Sequence, residues 1–575
     1  MDLPEIRPEE LTPLIEALLG VIRQLADRVG ELERVNQELR DENARLKGQK
    51  PRPKISPSIL HAPAPAPTPE GVEKVRRRGK PSRPKTSELT IHNTVPLHLE
   101  QIPDGATLKG FESYVVQDLV IHSENTKYQR ARYDLPTGGS VLAPFPQGVL
   151  PVEGGHFGAR LTAHILDQYH QAHVTEPLLL EQLWEYGIDI SAGQLHAILT
   201  DNKERFHEEK AEILAAGLTV SSYIGTDDTG ARHQGQNGYC TVISNDLFAY
   251  FESTDSKSRL NFLRVLQGDT RAYAINDMAV AYWERQKLAA PLLAKLTAEL
   301  PKGPEGKLLE TREFADTPAW QARLIELDIT KKRHVRIATE GALLGGLVAQ
   351  GVSPDLGVLS DGAPQFVVFV HAACWIHAER PLAKIVPHNE EHRLAIENVR
   401  TRVWELYQDL KAYRDKPDEA QQPLLTARFD ALVDQRTDYP SINGVLKEMR
   451  DHKADLLRVL ERPEIPLHTN TMESDIREFV KRRKISGGTR SAAGRRCRDT
   501  FASLKKTCRK LGLRFWDYLQ DRVRGLGQVP RLADLIRQKI QEAPVKKAAA
   551  ASNCPSTDKN EHTRTRSPLT ARVQG

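Results

Sequence analysis

Glu473 opens a dense basic run. Between Arg477 and Lys510 stand thirteen Lys or Arg against only Glu478 and Asp499, a formal +11. Glu473, Arg477, Lys481 and Lys484 follow at i, i+4, i+8 and i+11, which sets one acid and three cations on a single helical face. A polyanion lying along that face would bring its phosphates to the carboxylate. A carboxylate beside a phosphate backbone is repulsive unless a metal ion sits between them. Taken alone the stretch reads more simply as a solvated charged helix, but two further acids bear on it. Asp227 follows the strand signal at 222–226 (SYIGT), and Asp361 follows a buried strand at 357–359. Three carboxylates can hold two divalent ions for in-line displacement at phosphorus. Mg²⁺, a hard cation that takes few carboxylates and keeps its waters, suits such a site, and Mn²⁺ suits the same donors. Strand alternation sends Asp227 and Asp228 to opposite faces, so only one of them points into a shared site. A helix-capping role is the alternative for Asp361.

The elements that must position these acids are legible in outline. After 222–226, residues 239–243 and 247–251 flank the turn Ser244-Asn245-Asp246 as a hairpin, which would set the first acid at a sheet end. Residues 258–266 read as a helix, and 270–350 as mostly helical with a charged loop near 301–316. Asp361 stands at the carboxyl edge of its strand, where ligand groups gather in α/β sheets, with a helix expected from about Ala363. His371, Cys374 and His377 recur every three residues; with no fourth soft ligand they read as packing residues rather than a metal site. Further on, 503–511 read as an amphipathic helix completed by Phe515, Trp516 and Tyr518.

Ahead of this region the chain changes character several times. Leu11, Leu18, Leu25, Leu32, Leu39 and Leu46 form a heptad ladder, with Ile15, Ile22, Val29, Asn36 and Asn43 four residues after the first five. That pattern fits a parallel coiled coil over 1–48, hence a homo-oligomer. Residues 49–100 are a Pro-rich linker with a basic block at 74–85. Residues 101–150, with strand signals at 114–121 (YVVQDLVI) and 127–133, read as a small β-rich module. Residues 155–215 are helical. Within them a helix, a turn at Gly187 and a second helix capped by Ser191 suit a helix-turn-helix, with Gln194 and His196 as its candidate DNA readers; a helical hairpin that makes no DNA contact is the alternative. From 545 to the end the composition is that of a disordered tail.

Across 575 residues the net charge is only +5, so the clustering of charge, rather than its total, argues for a nucleic-acid partner. Five cysteines without a CxxC pair support neither a disulfide framework nor a four-cysteine zinc site, and fit a reducing cytoplasm. The acidic N-terminus is unlike a secretory signal, and the longest apolar run, near 366–376, is too short to span a bilayer. A cytoplasmic, nucleoid-associated protein with no membrane contact is the expectation.

The motifs carry a resemblance. TDDTG (226–230), SDGAPQF with CWIHAER (360–366 and 374–380) and NTMESDIR (470–477) resemble the three acid motifs of the DDE transposases of the insertion sequence 66 family. GGTRSAAGRRCRDTFASLKKTCRKLG is similar to the end of that catalytic domain. The resemblance covers about 160 to 520. It implies an α/β fold with a ribonuclease H-like core over 220–520, with helical insertions between the acids. It also implies Asp227, Asp361 and Glu473 as a triad holding two Mg²⁺ ions for cleavage and strand transfer at element ends. Arg477, Lys481, Lys484, Lys505 and Lys506 are expected to hold the DNA, and accessory proteins of the element could assist. The alternative is an inactive relative that acts as a DNA-binding regulator. The sequence also departs from the family: residues 101–150 lack cysteine, so no zinc module is expected there. Asp228 stands where many relatives have Glu, which leaves it as the alternative to Asp227 for the first acid, and Glu478 stands where proline is usual.

Overall fold

The computed structural model describes residues 28, 89–99, 101, 105–149 and 156–552, with side chains up to Glu542. Nearly all of the expected coiled coil, most of the Pro-rich linker and the part of the expected tail beyond 552 lie outside the described residues; from 545 to 552 the expected disordered tail is instead the end of a helix, Leu532–Ser552. The chain separates into two units, Met1–Val120 and Ile121–Gly575. In the first, residues 89–99, 101 and 105–120 carry no helix or strand. The strand expected at 114–121 does not form: Tyr114 is 91% exposed, and Val116, Leu119 and Val120 are exposed with it. An alternating apolar run becomes a strand only when a partner takes its backbone hydrogen bonds, and this one has none among the described residues. Of the expected β-rich module the structure contains one hairpin, β1 (Arg132–Asp134) with β2 (Ser140–Leu142), closed by the Pro136–Gly139 turn.

The second unit is built on a mixed five-stranded sheet. Its strands are β3 (Tyr223–His233), β4 (Gln236–Ser244), β5 (Ala249–Thr254), β8 (Gly357–Ser360) and β9 (Val370–Ala373), in the order β5-β4-β3-β8-β9. The first three are antiparallel, and β8 and β9 join parallel to β3. A short ribbon of β6 (Tyr273–Ile275) and β7 (Arg312–Phe314) stands apart. Two long helical segments interrupt the sheet. Residues 255–356 bury Trp283 and Trp320, and residues 373–467 close a core of their own around Trp375, Tyr407 and Phe429. The fold is mixed α/β with many helices, into which a ribonuclease H-like core fits in general terms.

Helices α1 (Ala159–His170), α2 (Glu176–Glu185), α3 (Ala192–Thr200) and α4 (Glu204–Val220) precede the sheet. Ser191 caps α3 as expected, in a capping box with Gln194. Three later helices matter for the site: α5 (Trp375–Lys384), α6 (Asn470–Ser486) and α7 (Ala492–Leu511). The expected helix from Ala363 is only a three-residue turn before β9. Beyond α7 the apolar residues at 515–518 begin a separate helix, Phe515–Arg524.

Helix α7 seals the edge of the sheet. Backbone N–H groups of Ala249, Phe251 and Ser253 on edge strand β5 donate to Thr507 Oγ1 (3.2 Å), Ser503 Oγ (2.9 Å) and Asp499 Oδ2 (2.8 Å). Alternate strand residues face one way and helix residues four apart share a face, so the two periods match along this seam. An edge that would otherwise present open donors is thereby closed.

Candidate active site

The sheet register brings two of the acids together. Tyr223, Ile224 and Gly225 pair with Gly357, Val358 and Leu359 in parallel. Carried two residues past the last pair, that register sets Asp361 beside Asp227, on the same face. Strand β3 runs on to His233, so Asp227 lies mid-strand rather than at a strand end as expected, while Asp361 does stand just past the carboxyl end of β8.

Helix α6 crosses this face. Its Met472 side chain fills the space over Gly225, where an added Cβ would stand 1.7 Å from Met472 Cε. Two residues farther along the same face is Asp227, and two more is Thr229, whose hydroxyl accepts from Arg483 at 3.1 Å. Glu473, next to Met472, thus arrives over the acids in the first turn of α6, where a negative charge also suits the helix dipole. At its other end α6 stops at Gly487, held at φ 67°, a conformation that favours glycine. The following loop docks on the β3–β4 hairpin through Thr489, which donates to Arg232 O and accepts from the Gln234 N–H.

Asp227 feels the other acids. Burial foremost, opposed by the hydrogen bond from the Asp228 N–H and reinforced by the charges of Asp361, Asp228 and Glu473, pushes the Asp227 carboxyl up to about 7. Asp228 is tied elsewhere, accepting from Thr241 Oγ1 at 2.5 Å and from Gln365 Nε2 at 3.2 Å. Asp361 accepts from the Ala363 N–H at 2.9 Å and so also shapes its own loop. As the side chains stand, no three Asp, Glu, His or Cys among the described residues are drawn close enough to grip one metal ion.

The structure adds two residues to this site. His377 Nε2 and Arg380, on α5, each stand 3.8 Å from Glu473 Oε1. Burial foremost, aided by Arg380 and opposed by Glu473 and Asp361, holds His377 below the usual histidine range. The three-residue spacing of His371, Cys374 and His377 had pointed to packing. That holds for buried His371 and Cys374 but not for His377, which faces the acids. The signal available in sequence was the next step of the same face, Arg380.

The expected DNA contacts divide. Arg477, Lys481 and Lys484 are exposed along α6. Among the described residues neither Arg477 nor Lys484 makes an ion pair, and Lys481 has only a 3.9 Å approach to Glu478. Lys505 and Lys506 do not meet the expectation. They are 2% and 8% exposed, and Lys505 donates to Glu478 Oε1 (2.9 Å) and His170 O (2.8 Å), while Lys506 donates to Ser474 O (3.2 Å). A buried ammonium needs such partners, which makes these two lysines internal ties between α7 and α6. Glu478, standing where proline is usual, has the same structural use, pairing His173 (2.8 Å) as well as Lys505. Gln194 and His196 are exposed on α3, Gln194 engaged in the capping box and His196 3.1 Å from Glu176.

A family model described as Transposase IS66 family matches residues 365–496, the stretch that carries His377, Arg380, Glu473 and the exposed cations of α6. The chain belongs to the IS66 transposase family. An uncharacterised protein, y4jO, of Sinorhizobium fredii is 40% identical over 330 residues, 57% of this chain and 100% of that protein. Asp227 and Asp361 precede the stretch matched by the family model. Membership in the IS66 transposases implies a transposition-related, DNA-processing role with DNA as partner. No described helix is long and apolar enough to cross a membrane.

Proposed function

We propose that this protein is a DDE transposase that cleaves DNA at the ends of an insertion element and transfers the freed strands to a target. The observation that carries the reading is the alignment of Asp227 on β3 with Asp361 just past the end of neighbouring β8, with Glu473 delivered over the same face by α6. Three carboxylates gathered on one face repel one another, which a hard dication would relieve by drawing them together, and their all-oxygen donor set would suit two Mg²⁺ or Mn²⁺ ions. When bound, such ions activate a water or 3′-hydroxyl and stabilise the leaving oxygen of an in-line displacement.

The chain's own residues do the rest. Arg477, Lys481 and Lys484 hold the strand whose phosphate lies at Glu473. Arg380 and His377 orient the Glu473 carboxylate, and Gln365 with Thr241 holds Asp228 aside. In the same proposal α2 and α3 serve as a helix-turn-helix-like DNA-binding region, the core is ribonuclease H-like over 220–520, and residues 1–48 oligomerise through a coiled coil.

The test is cleavage and joining of DNA carrying the element ends in Mg²⁺ by the wild type and by Asp361→Asn. Activity in the wild type and its loss in the variant are expected. Full activity in the variant removes the triad assignment, and binding of ends without any turnover by the wild type would make the protein a DNA-binding regulator.

A further inference from the structure

A cleft of about 500 Å³ opens between the α1–α3 helices and the loop that joins α6 to α7. Four arginines and Lys505 line it against two carboxylates, Glu176 and Glu478, so its balance is basic. Most of those cations are engaged in building the walls. Arg482 donates to Tyr169 O (3.0 Å) and Val174 O (3.3 Å), Arg498 to Ser253 Oγ (2.8 Å), and Lys505 to Glu478. Arg490 is different: it is exposed at the mouth and makes no ion pair among the described residues. The loop holding it follows the C-terminal end of α6, so the exposed row Arg477, Lys481 and Lys484 leads from the acids to this mouth.

The interior has polar atoms awaiting a partner. His170 is nine-tenths buried and lines the cleft, and its Nε2 has no hydrogen-bond partner among the described residues; the same holds for Nδ1 of His173 on the same wall. Both belong to the α1–α2 segment, so the two halves of the proposed DNA-binding apparatus meet here. The volume falls within the range of pockets that enclose small ligands, roughly 300–1,000 Å³. It has room for a nucleotide, but no duplex could enter.

We infer that this cleft seats an unpaired nucleotide of a DNA strand, its phosphate held at Arg490 and its base turned toward His170 and His173. The strand would arrive along α6, which makes the cleft a reader of unpaired or extruded nucleotides near the cut. This inference rests on the transposase reading for the path of the strand.

Binding of a fluorescent single-stranded DNA of about ten nucleotides to the full chain, with Ca²⁺ replacing Mg²⁺ to prevent turnover, tests it. Arg490→Glu removes the phosphate contact, and Ser486→Trp narrows the mouth from an exposed position. Each is expected to weaken single-strand binding about tenfold, and Arg490→Glu to make the salt dependence shallower by about 0.7 in slope. A 2-aminopurine placed next to the cut should be brightly unstacked on the wild type and quenched on both variants. Unchanged single-strand affinity and slope in both variants, with wild-type circular dichroism, would overturn the cleft assignment whether or not the protein cuts DNA. Conversely, a wild type that cuts nothing while both variants lose single-strand binding defeats the transposase reading and leaves the cleft intact.

Discussion

Replacing Arg477, Lys481 and Lys484 together by Ala is the perturbation whose size follows most directly from the structure. The three side chains are exposed along one face of α6, and Arg477 and Lys484 make no ion pair among the described residues. The helix rise separates the first from the last by about 10 Å, enough to meet successive phosphates of one strand. Removing them therefore costs the fold little and removes up to three phosphate contacts. Each contact on duplex DNA contributes about 0.9 to the slope of log affinity against log salt, so the triple variant should be shallower by about 2.7. Between 50 and 200 mM salt that difference amounts to about 40-fold: the wild type's advantage shrinks by this factor across the range. Fluorescence anisotropy with labelled element-end DNA, in a salt series with Ca²⁺ present, reads the slope directly. An unchanged slope in a folded variant refutes the reasoning and returns α6 to a solvated charged helix. Lys505→Ala, by contrast, should leave the slope alone and lower stability, because its ammonium is an internal tie.

Other consequences are local. Ser503→Ala strips the acceptor from the buried Phe251 N–H on the sheet edge and should cost about 1–3 kcal/mol in a urea melt; an unmoved midpoint would mean that the edge is not sealed by α7. His207 is pushed down to about 4, by burial foremost and then by Arg496 and Lys210, and lies 2.8 Å from Thr500 Oγ1. Its folded value lies below its unfolded one, so its neutral form stabilises the fold above about pH 6.5. That contribution is lost as pH falls toward 4. His207→Gln should flatten the stability profile in this window, and an identical profile counts against the assignment. Arg380→Ala should slow cleavage about 10²-fold, as loss of one positioned cationic donor does, while DNA affinity changes little; unchanged turnover would leave Arg380 a surface residue.

Much of the fold's centre could be read from sequence because its signals are local. The hairpin of β4 and β5, the strand before Asp361, the capping box of α3 and the helix carrying Glu473 each depend on residues within a few positions of one another. The misreadings come from partners far away in the chain. TDDTG is a poor strand former on its own, yet cross-strand pairing of Thr226 to Ile243 and of Asp228 to Thr241 carries β3 through it. Lys505 and Lys506 read as part of a basic patch because Glu478, Ser474 and the α1 carbonyl that receive them lie 27 or more residues away. His377 and Arg380 stand nearly a hundred residues before Glu473, so nothing local could place them beside it. Residues 114–121 failed the opposite way: the strand pattern was present, but among the described residues no partner strand was.

Divalent-metal binding is the measurement that bears most directly on the claim that Asp227, Asp361 and Glu473 act as one site. Mn²⁺ titrated into the full chain, followed by electron paramagnetic resonance, counts bound ions without needing turnover or DNA. Asp227→Asn, Asp361→Asn and Glu473→Gln are each expected to weaken binding, and combining any two to add little further loss, since the carboxylates share the ions. Wild-type Mn²⁺ affinity in any one of the three single variants would contradict that claim.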